Sequence, residues 1–266
     1  TGFSEDVEKL FYKQFRYFLS IIRIDSHYSQ SKSLSEKLIK NGWYVPLYRN
    51  NVGLASIIQI NQLEGINKFT NASTKWKYNY RRGLKNNLIL NTNEKLSLIK
   101  NEITKVANEM IEYKNVYHII NPSAILDIAN YFRQKLVIVT CRNSQNKIIA
   151  FRAALCVNNF AWDLFAASNE EGRKLKAGYL LLSLLIEECR SKGANKYSLA
   201  GITPGTARSV FKIEAGGSLY PFMGEYEKSK MLFLGKIFNF FLYLTKFSLS
   251  YRVISFFLRI IKSKEK

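Results

Sequence analysis

Residues 160–217 constrain the fold more than any other stretch of this chain: FAWDLFAASN EEGRKLKAGY LLLSLLIEEC RSKGANKYSL AGITPGTARS VFKIEAGG. The order is strand, basic turn, long apolar helix, glycine stop, strand, loop, and a short Arg/Lys segment ending in two glycines. Phe160 to Ala167 is rich in aromatic and small apolar residues, as a buried strand is. Ser168 with Glu171 three residues on has capping-box form. Arg173, Lys174 and Lys176 then crowd the start of a helix, where the partial positive charge of the helix end disfavours cations. They fit if an anion sits there, held by free backbone N–H groups and these side chains. Leu180, Leu181, Leu184, Leu185 and Cys189 follow helical spacing, Lys192-Gly193 stops the helix, and Tyr197 to Ala200 is a short second strand.

Charge sets the next bound. Lys and Arg number 40 against 20 Asp and Glu, a formal net charge of +20. Such an excess calls for an anionic partner: nucleic acid, an anionic membrane surface or a phosphate-bearing substrate. Apolar residues make up 47% of the chain, enough for a packed core, so global disorder is excluded. Cys141, Cys156 and Cys189 form no CxxC pair and read as buried reduced thiols of a cytosolic protein. His27 and His118 cannot build a metal cluster, so no metal is expected. Neither GxSxG, nor a P-loop, nor a zinc signature occurs, which leaves hydrolase, NTPase and metalloenzyme readings without support. The chain begins at Thr1 rather than Met, as a chain trimmed at its start would, and shows no signal peptide.

Upstream, Ser4 to Tyr17 reads as a helix, Phe18 to Asp25 as a strand, and Ser33 to Lys40 as a second helix closed by Asn41-Gly42. Trp43 to Tyr48 and Leu54 to Ile60 read as strands around the turn Arg49-Asn50-Asn51. Lys77, Arg81 and Lys85 fall at four-residue spacing and give one helix face three cations, while Trp76, Tyr80 and Leu84 would dock that helix. Such a helix suits RNA or a pyrophosphate-linked lipid or nucleotide; an ordinary helix with a solvated basic side is the alternative. Lys95 to Lys114 reads as an amphipathic helix through Leu98, Ile103, Val106, Met110 and Ile111, and Pro122 opens another over 123–134. Leu136 to Cys141, Ile148 to Val157 and Phe160 to Ala167 form an antiparallel meander, with Asn158-Asn159 as its hairpin turn. Arg152 and Asp163 are charges inside strands, expected to face solvent or to pair across that hairpin.

A helix between two strands, a Gly-Ile at 201–202, then V-F-K-x-x-x-G-G over 210–217 resembles the FemAB-like branch of the GNAT acyltransferase superfamily. That branch includes peptidoglycan-bridge aminoacyltransferases and related surface-polysaccharide N-acyltransferases. The resemblance covers roughly residues 70–226, more weakly through KWKYNYRRGLK at 75–85. It implies an α/β fold with a GNAT-like mixed, mostly antiparallel sheet flanked by helices, and acyl transfer to an amine. The superfamily's acyl-CoA loop has the form Q/R-x-x-G-x-G/A, and Arg173 to Gly178 offers the basic residue and one glycine rather than two. Acyl-CoA and aminoacyl-tRNA therefore both stay open as co-substrates, and no tightly bound cofactor is implied.

By the same resemblance, Lys212 supplies positive charge near the reacting carbonyl or donor phosphate, with a surface lysine on a strand edge as the alternative. Arg173, Lys174, Lys176, Gly178 and Arg208 would hold the donor or its phosphates. Gly216 and Gly217 would let backbone approach the substrate. Lys77, Arg81 and Lys85 would hold a phosphate-bearing, nucleotide- or lipid-linked acceptor, or tRNA. Glu214 is a proton-acceptor candidate by adjacency alone, and Tyr197 and Tyr226 are candidates equally unproven.

The tail differs in character. Between Glu227 and Glu265 there is no acidic residue. Lys236, Asn239, Tyr243 and Lys246 form one polar stripe; Ser248, Arg252, Ser255, Arg259 and Lys262 form another, out of phase. Two amphipathic helices rich in Phe, too short in apolar run to span a bilayer, read as lying in an anionic membrane interface, or as packing on the core or a second subunit. The expected organisation is a partial first α/β lobe (1–72), a GNAT-like acyltransferase domain (73–230) and a basic amphipathic membrane-interface tail (231–266). The expected function is N-acyl transfer onto an amine of a cell-envelope precursor, in the cytoplasm and peripheral to the inner membrane face. A non-enzymatic basic RNA-binding or membrane-scaffold protein is the rival.

Overall fold

The computed structural model describes residues 21–49, 53–60, 69, 71–92, 94–114, 135–202, 206–229 and 232–244. The helices expected over 4–17 and 123–134, the turn residues Asn50-Asn51 and the second polar stripe of the tail lie outside the described residues. The chain divides into two compact units, one drawn from 1–54 and 221–266, the other from 55–220. This division runs differently along the chain from the sequential one set out above.

The larger unit holds a sheet of six strands: β2 (Leu54–Gln59), β3 (Ile89–Asn91), β4 (Leu136–Arg142), β5 (Ile148–Val157), β6 (Phe160–Ser168) and β7 (Lys196–Gly201). Their order is β2-β7-β6-β5-β4-β3. Every neighbouring pair is antiparallel except β6 and β7, which run parallel. The meander 136–168 forms as the sequence predicts, with Asn158 taking the left-handed turn conformation at φ 55°. Helices α2 (Thr74–Leu84), α3 (Leu96–Lys114), α4 (Glu170–Lys174), α5 (Ala177–Ser191) and α6 (Ala207–Glu214) complete this unit.

The parallel pair needs a crossover, and α5 supplies it. Leu181, Leu182, Leu185 and Ile186 on α5 are almost wholly buried in one core with Ile149, Ala150 and Tyr197 of the sheet. Ile99, Ile103 and Val106 of α3 form a second core with Ile148 and Phe151. β5 thus contributes to both cores, which is why its sequence IIAFRAALCV shows no clean alternation. Gly193, at φ 89°, ends the crossover as its sequence predicts.

Several local expectations change. The cap of α4 is Asn169, whose Oδ1 accepts from the Gly172 N–H at 2.9 Å; Ser168 still belongs to β6, and Glu171 instead accepts from the Asn143 side chain. Leu84 and Leu98, read as docking residues, are exposed, because the α2 and α3 cores close around Trp76, Gly83, Ile99 and Ile103. The segment 207–214 is a helix rather than a strand edge, capped by Thr206 accepting from Ser209 N–H.

The smaller unit contains β1 (Ile21–Ser29) paired antiparallel with β8 (Ser218–Ser229), plus α1 (Lys32–Lys40) and α7 (Leu232–Leu244). Trp43 to Tyr48 makes only an isolated bridge, Tyr44 to Glu227, rather than the strand expected. Glu227 is fully buried and accepts from Arg23 (2.6 Å), the Tyr44 hydroxyl (2.5 Å) and the Asn239 amide (3.2 Å).

Gly216 and Gly217 follow α6. Gly216 sits at φ 87°, and a Cβ there would lie 2.5 Å from the Asn71 carbonyl carbon. A Cβ on Gly217 would run into the Ser56 Oγ of β2. The close approach these glycines permit is to the protein's own chain. Gly216→Ala is expected to lower stability by about 2 kcal/mol, combining left-handed strain with backbone overlap, read as a fall in the urea unfolding midpoint at unchanged slope.

Candidate functional site

The site is built where β6 and β7 part. They pair only through Phe160, Ala161 and Trp162 with Lys196, Tyr197 and Ser198, whereas β6 runs on to Ser168 and β7 to Gly201. A bulge helps turn β6 aside: Ala154 pairs with Asp163 and Ala153 with Phe165, leaving Leu164 unmatched.

At the fork, side chains replace the ladder. Arg152 donates to Asp163 twice, Nε to Oδ1 at 2.8 Å and Nη2 to Oδ2 at 2.7 Å, and the Tyr197 hydroxyl donates to Oδ1 at 2.9 Å. All three are buried or nearly so. The charges read inside strands pair across the hairpin, one of the two expected arrangements. Burial works against the Arg152 charge, but the Asp163 carboxylate and its hydrogen bonds win and raise its pKa. Burial, then the Asp163 charge, raises Tyr197 far above the usual phenol range, so it is a fixed donor and not a proton acceptor. Tyr226, another proton-acceptor candidate, is buried in the smaller unit with its hydroxyl 2.7 Å from that of Ser35.

Lys212 lies on α6 and is only 8% exposed. Its Nζ donates to the Gly201 carbonyl at 2.8 Å, at the end of β7 beyond the fork. The Ser56 hydroxyl donates to the Lys212 carbonyl at 3.3 Å, so the residue against which Gly217 packs also holds Lys212. Lys212 is therefore a held, buried cation rather than a surface lysine. Arg208 is in the first turn of the same helix; its side chain lies outside what the structure describes.

Helix α2 draws the basic segments together. Its start meets α6: the Ser73 N–H donates to the Glu214 carbonyl at 2.8 Å, and Lys75 pairs with the Glu214 carboxylate at 3.3 Å. Its end meets the start of α5: a Cβ on Gly83 would sit 3.1 Å from Leu180 and 3.3 Å from the Lys176 carbonyl, and Asn86 donates to the Leu175 carbonyl. Helix α2, which carries most of segment 75–85, thus meets the turn at Leu175 and Lys176 with one end and the last residue of α6 with the other. A cavity of about 230 Å³ lies where α2, α5 and α6 meet, lined by Lys75, Tyr179, Val210, Phe211 and Glu214; the cations read as site residues whose side chains are described, Lys77, Arg81, Lys85, Arg173, Lys174, Lys176 and Lys212, are not in its lining. Phe211 links the cavity to the fork, with its ring 5.1 Å from that of Tyr179 and 5.7 Å beneath the Arg152 guanidinium. Tyr179 accepts from the Asn79 amide; burial, then the Glu214 charge, raises its pKa, so it keeps a proton to donate.

The individual cations differ. Arg173 donates to the Ser168 carbonyl at 2.8 Å and lies 3.8 Å from the Tyr113 ring centroid, so it braces the turn from within. Lys174 pairs with Glu170 one helical turn back, in solvent. Lys176 is in the left-handed region at φ 62° and starts α5 without a side-chain cap. Gly178 is in the first turn of α5, where a Cβ would meet nothing nearer than Ser168 Oγ at 3.9 Å. Lys77 is half-buried, whereas Arg81 and Lys85 are exposed. Burial pushes the Cys141 thiol up to about 12, which disarms it as a nucleophile. Among the described residues no cluster of His, Cys, Asp and Glu could hold a metal ion.

Sequence reading missed Ser56, Lys75, Tyr179 and Phe211 as parts of one site. Only Lys75 and Phe211, which flank named basic residues, carried a usable signal.

No protein-family model matches the chain, and no curated protein sequence does. Solved structures do. FemX superposes with a TM-score of 0.70 at 11% identity, over 88% of this chain and 78% of that one. The C-terminal domain of a protein described as a lysylphosphatidylglycerol synthetase, from Agrobacterium fabrum, gives 0.55 at 14% identity, over 77% and 67%. L-PGS from Bacillus licheniformis gives 0.53 at 12% identity, over 86% and 76%.

Removing the Asp163 charge tests the fork. Asp163→Ala leaves Arg152 buried and unpaired and is expected to cost about 3–5 kcal/mol, whereas Tyr197→Phe costs about 1 kcal/mol; equilibrium urea unfolding of the two variants checks the ranking. The fold is that of FemX, as the resemblance of residues 70–226 to the FemAB-like acyltransferases implies.

Proposed function

We propose that the protein is an N-acyltransferase that moves an acyl or aminoacyl group onto an amine of a cell-envelope precursor. The observation that carries this reading is Lys212: a lysine at the motif position, drawn into a fold shared with FemX, its ammonium fixed at the end of the strand that leaves the fork. The fold shared with a lysylphosphatidylglycerol synthetase supports aminoacyl transfer in particular.

Transfer to an amine needs a neutral nucleophile, stabilisation of the carbonyl oxygen as it becomes anionic, and a place for the leaving group. Lys212 supplies positive charge that need not reorganise as the oxyanion forms. The uncapped start of α5, with Lys176 beside it, takes the donor phosphates, whether of acyl-CoA or of the aminoacyl-tRNA end. The exposed Arg81 and Lys85 take phosphates of a nucleotide- or lipid-linked acceptor. Glu214 is the wall group suited to draw in the ammonium of the incoming amine and take the proton it must lose before it attacks, at the cost of loosening its pair with Lys75. The reading carries with it a cytoplasmic location at the inner face of the cell membrane.

The test is transfer by the full chain, with aminoacyl-tRNA and acyl-CoA offered in parallel to a nucleotide-linked amino acceptor. Lys212→Ala and the closer-shaped Lys212→Met are expected to lower kcat by about a hundredfold or more, with circular dichroism unchanged. Nuclease sensitivity identifies an aminoacyl-tRNA donor; release of free thiol identifies acyl-CoA. Undiminished transfer by both variants would remove Lys212 from the chemistry. Absence of transfer from either donor, together with steeply salt-dependent RNA binding, would favour the non-enzymatic alternative.

A further inference from the structure

Helix α7 is amphipathic the wrong way round for a helix that simply covers a core. Its polar residue Asn239 is 2% exposed, donating to Glu227 and accepting from the Tyr48 N–H at 2.8 Å. Gly235 faces inward as well, packed against Ser229 and the Tyr44 hydroxyl. The sequence stripe that looks solvent-facing is in part the inner face, pinned to a buried carboxylate. The outer face carries Phe233 (73% exposed), Phe238 (51%), Phe240 (49%) and Phe241 (53%). At helical spacing, 233, 237, 240 and 241 fall on one side, and Phe238 borders it next to Phe241. The segment to which α7 is pinned also exposes Val45 and Leu47.

Four largely exposed phenylalanines on one short helix form more apolar surface than scattered exposure accounts for. Charge decides what covers it. Residues 228–264 contain eight Lys and Arg and no Asp or Glu, and Lys236 lies exposed on α7 itself. A second copy of the chain would bring the same positive charge to the contact and be repelled. An anionic lipid surface offers both the apolar layer and the opposite charge.

We infer that α7 seats on an anionic bilayer, with Phe233, Phe238, Phe240 and Phe241 in the interfacial layer and Lys236 at the headgroups. No described helix is long and apolar enough to cross a membrane, so the helix lies on the surface. The inner polar tie sets the arrangement: Asn239 satisfies Glu227 inside, and that frees the aromatic face for lipid. This inference does not rest on the acyl-transfer reading.

The full chain, treated with nuclease, is sedimented with vesicles of phosphatidylcholine alone or with one third phosphatidylglycerol. Binding is expected only to the anionic vesicles. Phe233→Ser/Phe240→Ser and Phe238→Ser/Phe241→Ser should each weaken it by about tenfold or more, with the thermal unfolding transition retained. Lys236→Glu, which leaves the apolar face intact, should weaken it several-fold. Equal binding to neutral vesicles, or undiminished binding by all three variants, overturns the inference. So does a dimer in light scattering that the same serine substitutions dissolve, which would assign the face to a second copy.

Discussion

The Arg152–Asp163–Tyr197 cluster is the interaction on which the site depends. A parallel pair that stops pairing after three residues leaves backbone groups and a wedge of space inside a sheet. Here the hydroxyl of β7 and the guanidinium of β5 converge on the β6 carboxylate at the first position past the last rung, so three side chains tie β5, β6 and β7 together where the pairing stops. Ion pairs of this kind gain little net stability over apolar replacements, because burying both charges offsets their attraction. What they supply is geometry, since a bidentate fork fixes both strands at once. Phe211 rests under that guanidinium, so α6 and its lysine inherit their position from the cluster.

The second constraint is the crowding of α2. Trp76 is wholly buried, stacks on Tyr80 at 5.7 Å and meets Phe69 at 4.2 Å and Tyr179 at 5.5 Å, which makes an aromatic plug between the start of α5 and the second half of α6. Large rigid rings seat α2 against Tyr179 of α5 and Phe211 of α6.

Much of this was legible in the sequence, and the parts that were not share a cause. The meander, the crossover helix and its glycine stop rest on local period and turn chemistry, and these matched closely in the larger unit. Arg152 and Asp163 could be seen as paired or solvated, but sequence cannot say that Tyr197, far along the chain, completes them. Helix α6 was hidden because ARSVFKIE is too short for a periodic signal, although its Thr206 cap and the glycines after it are visible. Gly216 and Gly217 could be read only as permissive; that Asn71 and Ser56 pack against them is a long-range fact. Asn239 was misleading for the same reason: its partner Glu227 is a buried carboxylate on another element, and polarity alone points such a side chain outward.

The cations divide by what holds them, and the division bears on what each can do. Lys212 and Arg173 each donate to a backbone carbonyl at 2.8 Å, so the fold places their charges, whereas Lys75 keeps its pair with Glu214 largely in solvent. A preplaced charge acts on a transition state with little reorganisation, but it binds a ground-state phosphate weakly because its field is already partly answered. Arg81 and Lys85 stand in solvent, where they can track a phosphate group but are screened and mobile. On this chain the exposed cations lie toward the end of α2 and the held lysine lies by the fork, with the Tyr179–Phe211 cavity beside the start of that helix. The two kinds of cation are thus separated within one unit, the one fixed by hydrogen bonding beside the fork and the others standing in solvent at the far end of α2.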